Sequence, residues 1–140
     1  MSDIIFNAFK KNIMNGNIDL DTDDIYVMLT TDGFTATEDA MEFVNEVTSE
    51  VTGTGYTAGG AALASKAVTA DDTDDEGVFD ADDVTWASST ITARYAVIYK
   101  KVTNTTESPL ICCIDFTADK SSSNGDFKIA WNAEGLLNLN

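Results

Sequence analysis

Nucleophiles, bases and metal ligands at workable spacings are scarce in this sequence. Histidine, the commonest general base and a frequent metal ligand, does not occur among the 140 residues. The only cysteines, Cys112 and Cys113, are adjacent. Neighbours on a strand point to opposite faces, so the two are poorly placed to bond each other, and neither has a histidine to activate it as a nucleophile. They read as reduced thiols made in a cytosol, small residues in or near a core, with pairing between subunits as the alternative. The one arginine, Arg94, sits mid-strand. It predicts a structural charge, paired with a carboxylate if it faces inward or bridging subunits if it faces outward. Trp86 and Trp131 read as core or interface anchors.

Two patterns imitate ligand sites and fail on spacing. The stretch GTGYTAGG at 53–60 is glycine-rich, but Gly55 is followed by Gly59 and Gly60 and then by a strand-like run. A dinucleotide loop needs its third glycine three residues after the second and then a helix, and a phosphate loop needs a Gly-Lys-Ser/Thr ending. Gly53, Gly55, Tyr56, Gly59 and Gly60 therefore read as a flexible connection or a loop that contacts a neighbouring subunit. Asp19, Asp21 and Asp23 alternate like the start of a calcium loop, but the sixth and twelfth positions hold Asp24 and Thr30 instead of glycine and glutamate. Between Asp71 and Asp83 lie eight acids and no base. That stretch reads as a solvated acidic loop, with weak collection of hard cations as the lesser alternative. No metal ligand set, cofactor site or catalytic group follows, and an enzyme is not expected.

The elements that would hold these residues are mostly strands. Ile5, Phe9 and Ile13 recur every four residues between Asp3 and a stop at Gly16, which predicts an amphipathic helix over 3–15. Ile4, Ile5, Phe6 and Phe9 on that segment are candidate contacts to a partner or another subunit, or else cover the chain's own sheet. IYVMLT at 25–30 reads as a buried strand. Thr37 could cap a second short helix through TEDAMEFVNEV, with Ala40, Met41, Val44 and Val47 on one face. From residue 61 the pattern is β. Ile91, Ala93, Tyr95, Val97 and Tyr99 alternate on one predicted face; so do Leu110, Cys112, Ile114 and Phe116, and then Phe127, Ile129 and Trp131. GLLNL closes the chain as an edge strand. The expected fold is α+β and mainly antiparallel β, a small sandwich or barrel with one or two N-terminal helices, in one domain over 1–140.

Composition narrows the partners. Eight basic residues face 24 acids, a formal charge of -16. Such a chain has no basic surface for nucleic acid or for an anionic membrane. No run of about 18 apolar residues predicts a membrane helix. The N-terminal lysines follow the apolar residues rather than precede them, which predicts no secretory signal.

Laid in order, the segments NIDLDTDDIYVML (17–29), EVTGTGYTAGGAAL (50–63), FDADDVTWASSTITARYAVIY (79–99), SPLICCIDF (108–116) and SSSNGDFKIAWNAEGLL (121–137) resemble a family of small virion structural proteins of tailed bacteriophages. Within it the closest likeness is to capsid decoration, or cement, proteins. The resemblance implies a location on the capsid exterior after synthesis in the host bacterial cytoplasm. It implies contact with the major capsid protein and assembly as a homotrimer, with no catalytic residue. A tail or head-fibre component that binds a host surface is the alternative. A strong negative charge suits a protein outside a DNA-filled shell, because it would not adhere to the genome during assembly.

Overall fold

The computed structural model describes residues 3–140. Its centre is a five-stranded sheet in the order β1-β8-β7-β2-β3, formed by Ile4–Ile5, Leu110–Ser121, Thr92–Lys100, Ile25–Thr30 and Ala61–Ala62. Every described pairing is antiparallel. Two smaller sheets complete the strands. One has the order β10-β5-β4 (Leu137–Leu139, Glu76–Asp80, Ala67–Asp71), and the other pairs β6 (Val84–Ser89) with β9 (Gly125–Ile129). The fold is thus mainly antiparallel β with one short N-terminal helix, as the alternation predicts, but the sheets stay open and no barrel closes. Among the described residues, no helix is long and apolar enough to cross a membrane.

The central sheet buries both faces. On one, Val27, Leu29, Ala96 and Ile98 pack with Phe79, Trp86, Phe127 and Leu137 from the smaller sheets and with Phe9. On the other, Met28, Tyr95, Val97 and Tyr99 pack with Phe6, Phe34 and Val44. A central strand buried on both sides must be apolar throughout, which is why IYVMLT shows no alternation.

Three expectations need correction. The helix α1 spans Asn7–Met14, not 3–15. Ile4 and Ile5 are extended instead, because their backbones pair with Cys113 and Cys112 at the sheet edge. The second helix is absent apart from a single 3-10 turn at Val44–Glu46. The start of β8 recruits that segment: Val44 N–H donates to Ser108 O at 2.9 Å, and Leu110 N–H donates to Glu42 O at 3.0 Å. A tertiary pairing of this kind overrides a weak helical preference.

The third correction concerns strand faces. Register shifts between Ala93 and Tyr95, where β7 advances two residues while β8 moves five, from Ala93↔Lys120 to Tyr95↔Asp115. An odd residue flips every side chain beyond it. Ile91 and Ala93 therefore join one core face, while Tyr95, Val97 and Tyr99 join the other. A second irregularity, between Ile98 and Tyr99, moves Leu110 to the face opposite Cys112. The tail behaves as expected: β10 is the outer strand of its sheet.

Candidate functional site

Most residues with chemical potential are committed to structure. Cys112 and Cys113 are free thiols, both buried, on opposite faces of the central sheet. Burial pushes both thiols up, Cys113 to about 12, so neither is a thiolate near neutrality. Arg94 faces a carboxylate, with its Nε 2.9 Å from Asp115 Oδ1. That hydrogen bond, first among its causes, holds the Asp115 carboxyl below the ordinary range. The Asp19–Asp23 segment is a turn: Asp23 Oδ2 accepts from Asp19 N–H at 2.8 Å and pairs with Lys100 Nζ at 2.8 Å.

The glycine-rich loop is anchored from within. Leu29 N–H, on β2, donates to Tyr56 Oη at 3.0 Å, and Tyr56 Oη–H donates to Glu50 Oε1 at 2.9 Å. The same Glu50 oxygen accepts from Gly59 N–H at 2.6 Å, and Tyr99 Oη–H donates to Gly59 O at 2.6 Å. Burial pushes the Tyr99 phenol up to about 12 and raises Tyr56 further, so both stay protonated donors. At Gly60, where φ is +82°, a Cβ would stand 1.8 Å from Val27 O. A side chain there would drive the loop off β2. A Cβ at Gly53 would stand 2.5 Å from Thr90 O, and one at Gly55 would stand 2.8 Å from Ser89 Cα. The loop therefore serves as a clasp on the chain's own sheet.

The N-terminal candidates divide. Phe6 and Phe9 are wholly buried, one in each core face, which leaves them no surface to offer a partner. Ile4 and Ile5 are half-buried in β1 at the sheet edge.

A concavity of about 820 Å³ opens beside that edge. It is the seam between the central sheet and the smaller ones. Ile114 and Phe116 of β8 line one side, β9 the second, and Trp131, Leu136 and Asn138 the third. Among the described residues, β9 pairs only with β6, β10 only with β5, and β8 has β1 on its outer side only at Cys112 and Cys113. Among the described residues, three open strand edges thus border one groove. Trp131 is fixed at its rim by two bonds: its indole N–H to Asp82 O at 2.9 Å and its backbone N–H to Asp83 Oδ1 at 3.1 Å. The charged lining is Asp3, Lys120, Asp126, Lys128 and Glu134.

No relative marks this surface. No family model matches the chain, and no curated protein or solved structure shows significant similarity to it.

Sequence reasoning missed the groove. Phe116 and Trp131 are visible as aromatic strand residues, but only the topology shows that the edges beside them lack partners. The remaining ligand-like group is Asp71, Asp74 and Glu76 at the β4–β5 turn, whose carboxylate oxygens lie within 4.8 Å of one another. Asp71 Oδ1 already accepts from Thr73 N–H at 2.8 Å, as in an ordinary Asx turn.

Proposed function

We propose that this chain is a decoration protein of a tailed-bacteriophage capsid, a structural protein and not an enzyme. In this reading it binds the major capsid protein from outside and steadies the head. The family resemblance supplies the setting. The observation that carries the contact role is the seam. It combines open strand edges, half-buried Ile114, Phe116, Trp131 and Leu136, and an unusually balanced charge. Its lining holds two lysines against three acids, while the whole chain holds 8 basic residues against 24 acids. A strongly acidic protein meets its neighbours most readily where its own charge is balanced.

Copies grouped as homotrimers, or as clusters near local threefold positions, follow from the resemblance. Avidity gives a physical reason for grouping: a 140-residue domain offers each neighbour a modest patch, and joined copies make later contacts effectively intramolecular. The test compares particles with and without the protein under heat or osmotic shock. Decorated particles should retain their DNA longer. Equal survival would refute the decoration role, and a location confined to the tail would favour the tail or fibre reading.

A further inference from the structure

The outer edge of β9 is self-complementary, and we propose that it pairs with β9 of a second copy of this chain. The inference takes the seam as a contact surface but does not depend on the capsid assignment. β9 reads Gly125-Asp126-Phe127-Lys128-Ile129, with Phe127 at its centre. Phe127 and Ile129 point into the core, while Asp126 and Lys128 are exposed on the other face. A two-fold axis through Phe127 brings two such strands together antiparallel. Asp126 then stands opposite the partner's Lys128, and Lys128 opposite the partner's Asp126. Opposite charges directly across an antiparallel pair attract, and like charges there repel.

Two observations favour a second copy. The alternation of one acid, one apolar residue and one base is its own complement under a two-fold axis, which is the requirement of an isologous contact. Phe127 itself is buried against Trp86 at 6.1 Å and Phe116 at 6.3 Å, so the pair would be held by the backbone and by the exposed Asp126 and Lys128. Second, one backbone edge of β9 carries no strand: among the described residues, β6 is its only strand partner. Joining two copies turns the two-stranded β6-β9 sheet into a continuous four-stranded one, and a longer sheet is more stable than an isolated pair. Lys128 also bridges to Asp83 at 3.1 Å while keeping 56% of its side chain exposed, so it remains accessible from the open side. On a shell, such pairing would link neighbouring threefold clusters.

The test is sedimentation equilibrium of the full chain in about 0.3 M salt, where a screening length of roughly 5–6 Å suppresses the long-range repulsion between two acidic copies. The wild type should form a species of twice the mass of the unit that the charge reversals leave, two 15.0 kDa chains or two trimers where copies are already grouped in threes. Asp126→Lys alone sets lysine against lysine, and Lys128→Asp alone sets acid against acid. Each should weaken the dimer roughly tenfold or more. The double variant D126K/K128D restores complementarity and should restore the dimer. An equimolar mixture of the two single variants should form a mixed dimer that neither forms alone. Thermal melts of each variant check that folding is intact. A monomeric wild type at high concentration, or an oligomer of any size indifferent to these reversals, would overturn the β9 pairing and leave the capsid reading untouched. A charge-dependent dimer from a protein that proves absent from phage heads would do the converse.

Discussion

Replacing Tyr56 with phenylalanine removes one oxygen and should loosen the whole glycine-rich clasp. That oxygen accepts from Leu29 N–H and donates to Glu50. Leu29 is fully buried on a central strand, so its amide has no ready access to water once the hydroxyl is gone. An orphaned buried donor costs about 1–3 kcal/mol, and losing a hydrogen bond to a charged acceptor costs about 1.5–3 kcal/mol when both groups are sheltered. Glu50 is only half-buried and keeps its bond from Gly59, which places the second cost at the low end. The combined loss should be about 2–3 kcal/mol, since the ring of Tyr56 still packs on Trp86. At this chain length about 1 kcal/mol moves the midpoint by roughly 3 °C, so Tm should fall by about 6–9 °C. Glu50→Gln keeps an acceptor for both donors and should cost about 1 kcal/mol. Thermal unfolding followed by circular dichroism measures both variants. A Tyr56→Phe midpoint within about 2 °C of wild type would refute the clasp and return the loop to the surface role predicted from its glycines.

Asp115→Asn should destabilise by roughly 1–3 kcal/mol at neutral pH, because it removes the carboxylate that Arg94 holds. The Asp115 pKa is lowered in the folded state. Its contribution is therefore complete above the unfolded value near 3.9 and is lost as pH falls through the lower folded value. Urea titrations should show the wild-type advantage shrinking below about pH 4; an advantage independent of pH would contradict the pairing. Both cysteines should resist thiol reagents in the native protein at about pH 8 and react once it is denatured; rapid native labelling would contradict their burial and raised pKa values. Chelation should change Tm by only a few degrees relative to about 1 mM calcium; a fall of tens of degrees would make Asp71, Asp74 and Glu76 a fold-determining site.

The sequence made the strands legible and concealed the faces they present. β2, β7, β8 and β9 stand close to where apolar runs and alternation place them. The opposed orientation of Cys112 and Cys113 follows from adjacency alone. Bulges carry no comparable signal. Nothing in TITARYAVIYK marks the step after Ala93 at which Tyr95, Val97 and Tyr99 leave the face shared by Ile91 and Ala93. The N-terminal helix was half legible, because Phe9 and Ile13 keep helical spacing while Ile4 and Ile5 answer to β8. The clasp misled for a similar reason. Glycines suit a mobile loop and a tightly packed one equally well, and only the closeness of Gly60 to Val27 decides between them. The groove depends on which strand edges remain unpaired, a property of topology rather than of any residue.

The most direct test of the decoration account is to label this protein on intact phage particles and count its copies by electron microscopy. The account predicts hundreds of copies spread over the outer surface of the head, grouped at local threefold positions. A handful of copies at a single vertex, or label restricted to the tail, would contradict it.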